Sequence, residues 1–224
     1  MDRKVFFDKV KPLFGSFSPD QVGGIDTILD EAEKRKTPVN WLAYMFATAF
    51  HETDKTMQPI AEYGKGKNHP YGKPAKYKQA PYGRGMVQLT WDYNYEKADK
   101  ELKLNGALLK NFDLAMDTKI ATEIMFTGME QGWFTGKKLG NYCGEKPDYV
   151  NARRIINGTD KAKMIAEYAK TFEGALRLSG YGLPSATAPA IIPVNAPLGA
   201  PVNSKFSLFN AILNIITTII GGRK

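Results

Sequence analysis

The run Thr37-Pro38-Val39-Asn40-Trp41-Leu42-Ala43-Tyr44-Met45-Phe46-Ala47-Thr48-Ala49-Phe50-His51-Glu52-Thr53 sets the architecture expected of this chain. Thr37 and Pro38 offer a helix cap and a first-position proline, residues that open helices. Trp41, Leu42, Met45, Phe46, Ala49 and Phe50 then recur at helical spacing. The pattern stops at Glu52, where the chain enters a segment, 54–85, rich in Gly, Pro, Lys and Tyr and poor in periodicity. A loop of that length inside a compact domain is usually functional. Upstream, Ser18-Pro19-Asp20-Gln21 is a capping box with proline at the first helical position, which predicts a helix to about Lys36. Residues 117–133 and 160–178 read as further helices, so the body is expected to be mainly α.

Composition narrows the chemistry. The chain has 224 residues, 43% hydrophobic and 24% charged, enough for one ordinary folded domain and an appendage. Cys143 is the single cysteine, which excludes an intramolecular disulfide scaffold. Two histidines, His51 and His69, leave little for a zinc site, so no metal and no cofactor are expected. Chemistry on this chain therefore falls to carboxylates. Lys and Arg number 31 against 23 Asp and Glu, a net charge of +8, which favours an anionic partner such as a cell wall or a membrane surface. No nucleic-acid partner is expected, and the chain is expected to be a monomer.

Three regions are expected: a body over 1–180, a Pro/Ala-rich linker over 181–205 and a C-terminal amphipathic helix over 206–224. From Tyr181 to Ser204 there is no charged residue, and Pro184, Pro189, Pro193, Pro197 and Pro201 interrupt the stretch. Each proline removes a backbone donor, so neither helix nor central strand propagates there. Phe209, Ile212, Leu213, Ile216 and Ile220 then repeat at helical spacing before Arg223 and Lys224. The run Phe206–Ile220 is shorter than the roughly 20 residues of a spanning helix and suits a membrane interface, or equally a helix that docks or self-associates. The N-terminus places only three apolar residues, Val5 to Phe7, after Met1-Asp2-Arg3-Lys4. That is less than a secretory signal requires, so synthesis in the host cytoplasm is the expectation.

Two carboxylates stand out. Glu52 leaves an apolar helix at its C-terminal end, where the helix dipole disfavours negative charge, a setting that suits a general acid. Glu62 lies in the loop among Lys55, Lys65 and Lys67, a setting that suits a general base. Two carboxyls in contrasting surroundings are the pattern of glycoside hydrolysis. Next comes Tyr82-Gly83-Arg84-Gly85-Met86-Val87-Gln88-Leu89-Thr90-Trp91-Asp92-Tyr93-Asn94-Tyr95, whose glycines permit a tight turn and whose amides, hydroxyl and rings suit a sugar.

His51-Glu52-Thr53, Glu62, the Tyr-Gly-Arg-Gly-x-x-Gln-Leu-Thr run, Asn94-Tyr95 and Ile155-Ile156-Asn157-Gly158 follow one another as in glycoside hydrolase family 19, which this chain resembles over roughly 1–180. Phe6-Phe7 to Leu13-Phe14, followed by Ser18 to Asp30, is similar to the phage endolysin branch of that family. The resemblance implies a bilobal, lysozyme-like helical fold, with Glu52 as general acid, Glu62 as general base and Thr90 helping Glu62 to hold the attacking water. It implies a sugar cleft lined by Gln88, Tyr93, Asn94 and Asn157, and Tyr82 joins them as a candidate. It implies inversion in one step, the carboxyls standing about 6.5–9.5 Å apart to admit water. Two features depart from the pattern. Asp54 stands where chitinases of the family often have threonine, and adds negative charge beside Glu52. The family's arginine shortly after the Asn-Gly block has no clear match, leaving Lys161 and Lys163 nearest.

The expected function is hydrolysis of the β-1,4 bonds of peptidoglycan by an endolysin acting on the wall after release. Chitin is the second substrate. A lytic transglycosylase needing Glu52 alone and a non-catalytic wall-binding module are the rival classes. A zinc amidase is disfavoured because His-Glu-x-x-His meets Lys55 at its last position. A Cys–His hydrolase is disfavoured because nothing around Cys143 suggests a nucleophile. If the tail acts on lipid, removing it should abolish leakage of anionic liposomes while hydrolysis of purified wall continues. Loss of both would make the tail part of the catalytic fold.

Overall fold

The structure, a computed structural model, describes residues 1–183. The linker from residue 184 onward and the helix expected over 206–224 lie outside the described residues. Within them the helices are α1 (Arg3–Phe14), α2 (Pro19–Arg35), α3 (Val39–Glu52), α4 (Asp92–Glu101), α5 (Ala107–Lys110), α6 (Thr118–Gln131) and α7 (Ala162–Leu178). Two short strands, β1 (Ile60–Ala61) and β2 (Arg84–Gly85), pair antiparallel with Ile60 opposite Gly85. The mainly helical expectation holds, and the elements fall into two lobes.

Helix α3 is the axis of the first lobe. Every side chain from Leu42 through Phe50 is buried, the pattern of a helix apolar on all sides. Helix α7 packs along it, as α1 does along α7. Phe172 of α7 stacks on Phe46 of α3 at 5.1 Å between ring centroids, and on Phe6 of α1 at 6.5 Å. Helix α1, which sequence periodicity left unread, is capped by Asp2, whose carboxylate accepts from the Val5 N–H at 3.0 Å. It ends at Gly15, where φ is +76°.

The cap of α2 is the one expected. The Ser18 hydroxyl accepts from the Gln21 N–H at 3.1 Å, and the Gln21 side chain accepts from the Ser18 N–H at 2.8 Å. The cap expected of α3 is absent. Pro38 occupies the cap position, and the Thr37 hydroxyl is buried without a hydrogen-bond partner. The Thr37 carbonyl instead accepts from the Tyr181 hydroxyl at 2.9 Å. Tyr181 is buried by that contact, so the body reaches past the expected boundary at 180. A truncation that tests the tail should therefore begin no earlier than residue 184.

The second lobe is built from β1, β2, α4, α5 and a 3-10 segment over Phe112–Met116. Arg84 is buried at its centre. It donates to Asp113 at 2.8 Å, to the Tyr95 hydroxyl at 3.1 Å and to the carbonyls of Ala80 and Tyr82 at 3.1 and 3.2 Å. Tyr95 stacks on Phe112 at 4.1 Å. Helix α6 touches both lobes, meeting α2 and α3 on one side and β2 on the other. No helix among the described residues is long and apolar enough to cross a membrane.

Phe172→Ala removes the ring on which α1, α3 and α7 converge. A loss of about 3–5 kcal/mol is expected, measured by urea unfolding.

Candidate active site

Glu52 is the last residue of α3, so the packing of the whole helix fixes its position. Its carboxylate meets Arg153, whose Nη1 lies 2.5 Å from Glu52 Oε1. The arginine side chain is 4% exposed and the glutamate 15%. Arg153 sits in a 3-10 segment, Asn151–Ile155, that Asp148 anchors by accepting from the Asn151 N–H at 3.0 Å. Its Nε also donates to the Asp160 carbonyl at 3.1 Å. A cation therefore faces Glu52, where the sequence suggested only a helix dipole and Asp54. Asp54 is exposed and turned elsewhere: with His51, Lys55, Met164 and Tyr168 it borders a separate hollow of about 220 Å³. Burial holds His51 below the ordinary histidine range.

Glu62 comes from the other lobe. Its N–H donates to the Gly83 carbonyl at 2.8 Å, extending the β1–β2 ladder by one residue. Its Oε2 accepts from the Gly83 N–H at 3.2 Å, and its Oε1 has a longer contact, 3.5 Å, with the Tyr71 hydroxyl. Burial, and after it the charge of Glu62, raises the Tyr71 phenol above its ordinary range. Lys55, Lys65 and Lys67 make no ion pair with Glu62. The partners of Glu62 are a backbone amide and a phenol, not the lysines its sequence neighbourhood suggested.

Between these carboxylates runs the glycine-rich turn. Arg84 and Leu89 exchange backbone hydrogen bonds at 3.1 and 2.8 Å, closing a tight loop over 85–88. Gly83 must be small there: a β-carbon on it would lie 2.8 Å from Gln88 Oε1 and 3.4 Å from Thr90 Oγ1. Gln88 donates to the Ile60 carbonyl at 3.1 Å, tying the turn to β1. The Thr90 hydroxyl donates to the Gln88 carbonyl at 2.8 Å, and Asn94 Nδ2 donates to the Thr90 carbonyl at the same distance.

A cleft of about 400 Å³ results. Of the residues expected from sequence, Glu52, Gln88, Thr90, Tyr93, Asn94 and Asn157 line it. Glu62 does not line it: its carboxylate contacts the lining residue Tyr71 and is held by the Gly83 N–H. Tyr82 does not line the cleft. Its ring lies under the Arg84 guanidinium at 3.6 Å, and its carbonyl accepts from the Tyr95 hydroxyl at 2.9 Å. Tyr71, Trp91, Phe134, Val87 and Ile156 complete the lining and were not read as site residues. Trp91 had one local signal, its place in the turn, and its backbone takes φ +74°, unusual for a bulky residue. Arg153 had none: it stands beside Arg154, and its partner is 101 positions away.

Among the described residues no group of three or more His, Cys, Asp or Glu is placed to hold a metal ion. Cys143 is buried, which pushes its thiol up to about 12. A larger hollow, about 620 Å³, is lined by Glu33, Lys36, Thr37, Val39 and Tyr181 at the end of α3 opposite Glu52.

No protein-family model matches the chain. No curated protein matches it. Among solved structures it is similar to a bacterial family 19 chitinase, at 21% identity and a TM-score of 0.48, over 77% of this chain and 93% of that one.

Truncating one partner of a buried ion pair leaves the other charge uncompensated. Arg153→Met should lower stability by about 3 kcal/mol in urea. The double variant with Glu52→Gln should lose less than the sum of the two single changes, because no orphaned charge remains.

Proposed function

We propose that this protein is a glycoside hydrolase of N-acetylated aminosugar polymers, and that it is an endolysin cutting the β-1,4 bonds of bacterial peptidoglycan. One observation carries the reading: Glu52 lines a cleft edged with amides, a hydroxyl and exposed rings, and a second carboxylate, Glu62, contacts the lining residue Tyr71 from the other lobe. In this reading Glu52 hands its proton to the glycosidic oxygen as the bond from that oxygen to the anomeric carbon breaks. Arg153 occupies one oxygen of the carboxyl and fixes its orientation, leaving the other for the substrate. A water attacks the opposite face of the anomeric carbon and passes its proton to Glu62. The bond made and the bond broken lie on opposite faces, so the configuration inverts.

The surrounding groups have matching tasks. The Thr90 hydroxyl already spends its proton on the Gln88 carbonyl, so its oxygen is left to accept from the attacking water. Gln88, Asn94 and Asn157 offer amides to acetamido and hydroxyl groups. Tyr93 and Trp91 are 63% and 38% exposed and offer ring faces to the apolar face of a sugar. Made in the host cytoplasm, such an enzyme acts on the wall after release, with 206–224 available for a membrane surface.

A second reading is favoured by one specific observation. Glu62 does not line the cleft; it contacts the lining residue Tyr71, and one of its oxygens is held by the Gly83 N–H. A lytic transglycosylase would use Glu52 alone, with the substrate's own hydroxyl closing an anhydro ring.

Mass spectrometry of soluble products from purified peptidoglycan separates these readings, with chitin oligomers run beside it. Products with free reducing ends are expected, and Glu52→Gln and Glu62→Gln should each lower kcat by about 10²-fold or more. Anhydro products indifferent to Glu62 would establish the transglycosylase. Products from chitin alone would remove the endolysin reading.

A further inference from the structure

Between Glu62 and Asp92 the sequence contains no acidic residue, yet it carries Lys65, Lys67, Lys73, Lys76, Lys78 and Arg84. Arg84 is buried and committed to Asp113, and Lys76 is paired with Glu96 at 2.8 Å. Lys65, Lys67, Lys73 and Lys78 are exposed and make no ion pair among the described residues. A run of lysines is usually no more than a solvated face. Three features set this one apart.

The backbone beneath the charges is a closed knot. Successive one-turn hydrogen bonds run from the Lys65 N–H to the Glu62 carbonyl at 2.9 Å, from Lys67 to Gly64 at 2.8 Å, from His69 to Gly66 at 2.8 Å and from Gly72 to His69 at 3.0 Å. Gly66 and Gly72 touch backbone to backbone: a β-carbon on Gly72 would lie 1.9 Å from the Gly66 carbonyl oxygen. Lys65 and Lys73 are thereby held on either side of one compact turn.

Charge is also kept where the backbone disfavours it. Lys65 and Lys78 have φ of +45° and +56°, the left-handed region in which glycine is at ease and a side chain costs on the order of 1 kcal/mol. The knot's aromatic centre, finally, is the wall of the cleft. Tyr71 stacks on His69 at 4.9 Å and meets the Trp91 ring edge-on at 5.2 Å. Tyr71 lines the cleft and contacts Glu62.

We infer that the loop from Lys65 to Lys73 is an anion-binding rim of the cleft, which selects glycans bearing anionic substituents over neutral ones. This deepens the wall-hydrolase reading and rests on it for the identity of the glycan. A neutral N-acetylglucosamine polymer offers this rim nothing. Peptidoglycan offers the carboxylates of its stem peptides, and some walls add phosphodiester polymers. Screening at about 10 Å in 0.1 M salt confines the attraction to groups carried on the strand lying in the cleft.

Binding tests the rim apart from catalysis. Full-length protein carrying Glu52→Gln, which slows turnover, is co-sedimented with insoluble peptidoglycan freed of phosphodiester polymers. The same sacculi with carboxyls amidated by methylamine, sacculi retaining the phosphodiester polymers, and chitin run in parallel. Lys65→Gln, Lys67→Gln and Lys73→Gln together should weaken binding to unmodified sacculi about tenfold and leave binding to amidated sacculi and chitin unchanged. Lys100→Gln, Lys103→Gln and Lys110→Gln, which remove the same charge from exposed positions elsewhere, should do neither. A loss seen only on sacculi that retain phosphodiesters assigns the anion to phosphate instead of carboxylate. Equal weakening by both triple variants, equal weakening on chitin, or no weakening at all would overturn the inference. Failure of the hydrolase reading shows separately, as wild-type protein that binds sacculi but releases no sugar products.

Discussion

Helix α3 has no solvent face over its central residues. From Leu42 to Phe50 each side chain is buried, with α7 and α6 packed along the helix, Phe6 of α1 against Phe46 and Tyr149 stacked on Tyr44, so the helix has one rotational setting and one axial setting. Interiors packed at crystal density resist sliding, because any shift opens voids on one side and overlaps on the other. Glu52 inherits this rigidity. A carboxyl placed two residues beyond such a segment can be held without many hydrogen bonds of its own, and Arg153 completes the restraint.

The opposite wall is held differently. The second lobe has little regular structure, and a two-residue ladder alone would be marginal. Its order comes from Arg84, a buried cation that satisfies loop carbonyls, the Tyr95 hydroxyl and Asp113 at once. Around it the absence of a side chain at Gly83 lets Gln88 and Thr90 approach the residue whose N–H holds Glu62. Helix packing positions one carboxyl and a polar network the other. Polar networks are directional and fail when half satisfied, which makes the turn over 82–90 the more fragile half of the site.

Charge is distributed with the same division. The buried cations, Arg84 and Arg153, are arginines that meet several acceptors through a planar fork. The unpaired cations of the loop are exposed lysines. Buried guanidinium builds the cleft, and exposed ammonium is left to meet what arrives.

Much of this was legible in the chain itself. Apolar periodicity located α3, α6 and α7, and the Ser18 capping box located α2, because helix period and end chemistry are local properties. Glu52 could be singled out by its place at the end of an apolar helix and the run 82–95 by residue types that suit a sugar, whereas Gln88, Thr90, Asn94 and Asn157 were marked individually only by the resemblance to family 19. Tyr82 could not be distinguished from Tyr93 in this way. Both are tyrosines of one short stretch of sequence, and only the fold directs one ring to Arg84 and the other, on the first turn of α4, to the cleft. The partner of Glu52 was equally hidden. Arg153 and Arg154 are identical neighbours, and burial of one depends on a chain separation of 101 residues closing in space. The surroundings of Glu62 were misjudged for the converse reason. Lysines near in sequence point to solvent, while Gly83 and Tyr71 lie near in space. Spacing along the chain thus settled which segments are helical and which residue types carry the chemistry. Which side chains meet was settled by packing, since contact energies act over a few ångströms of space whatever the distance along the chain.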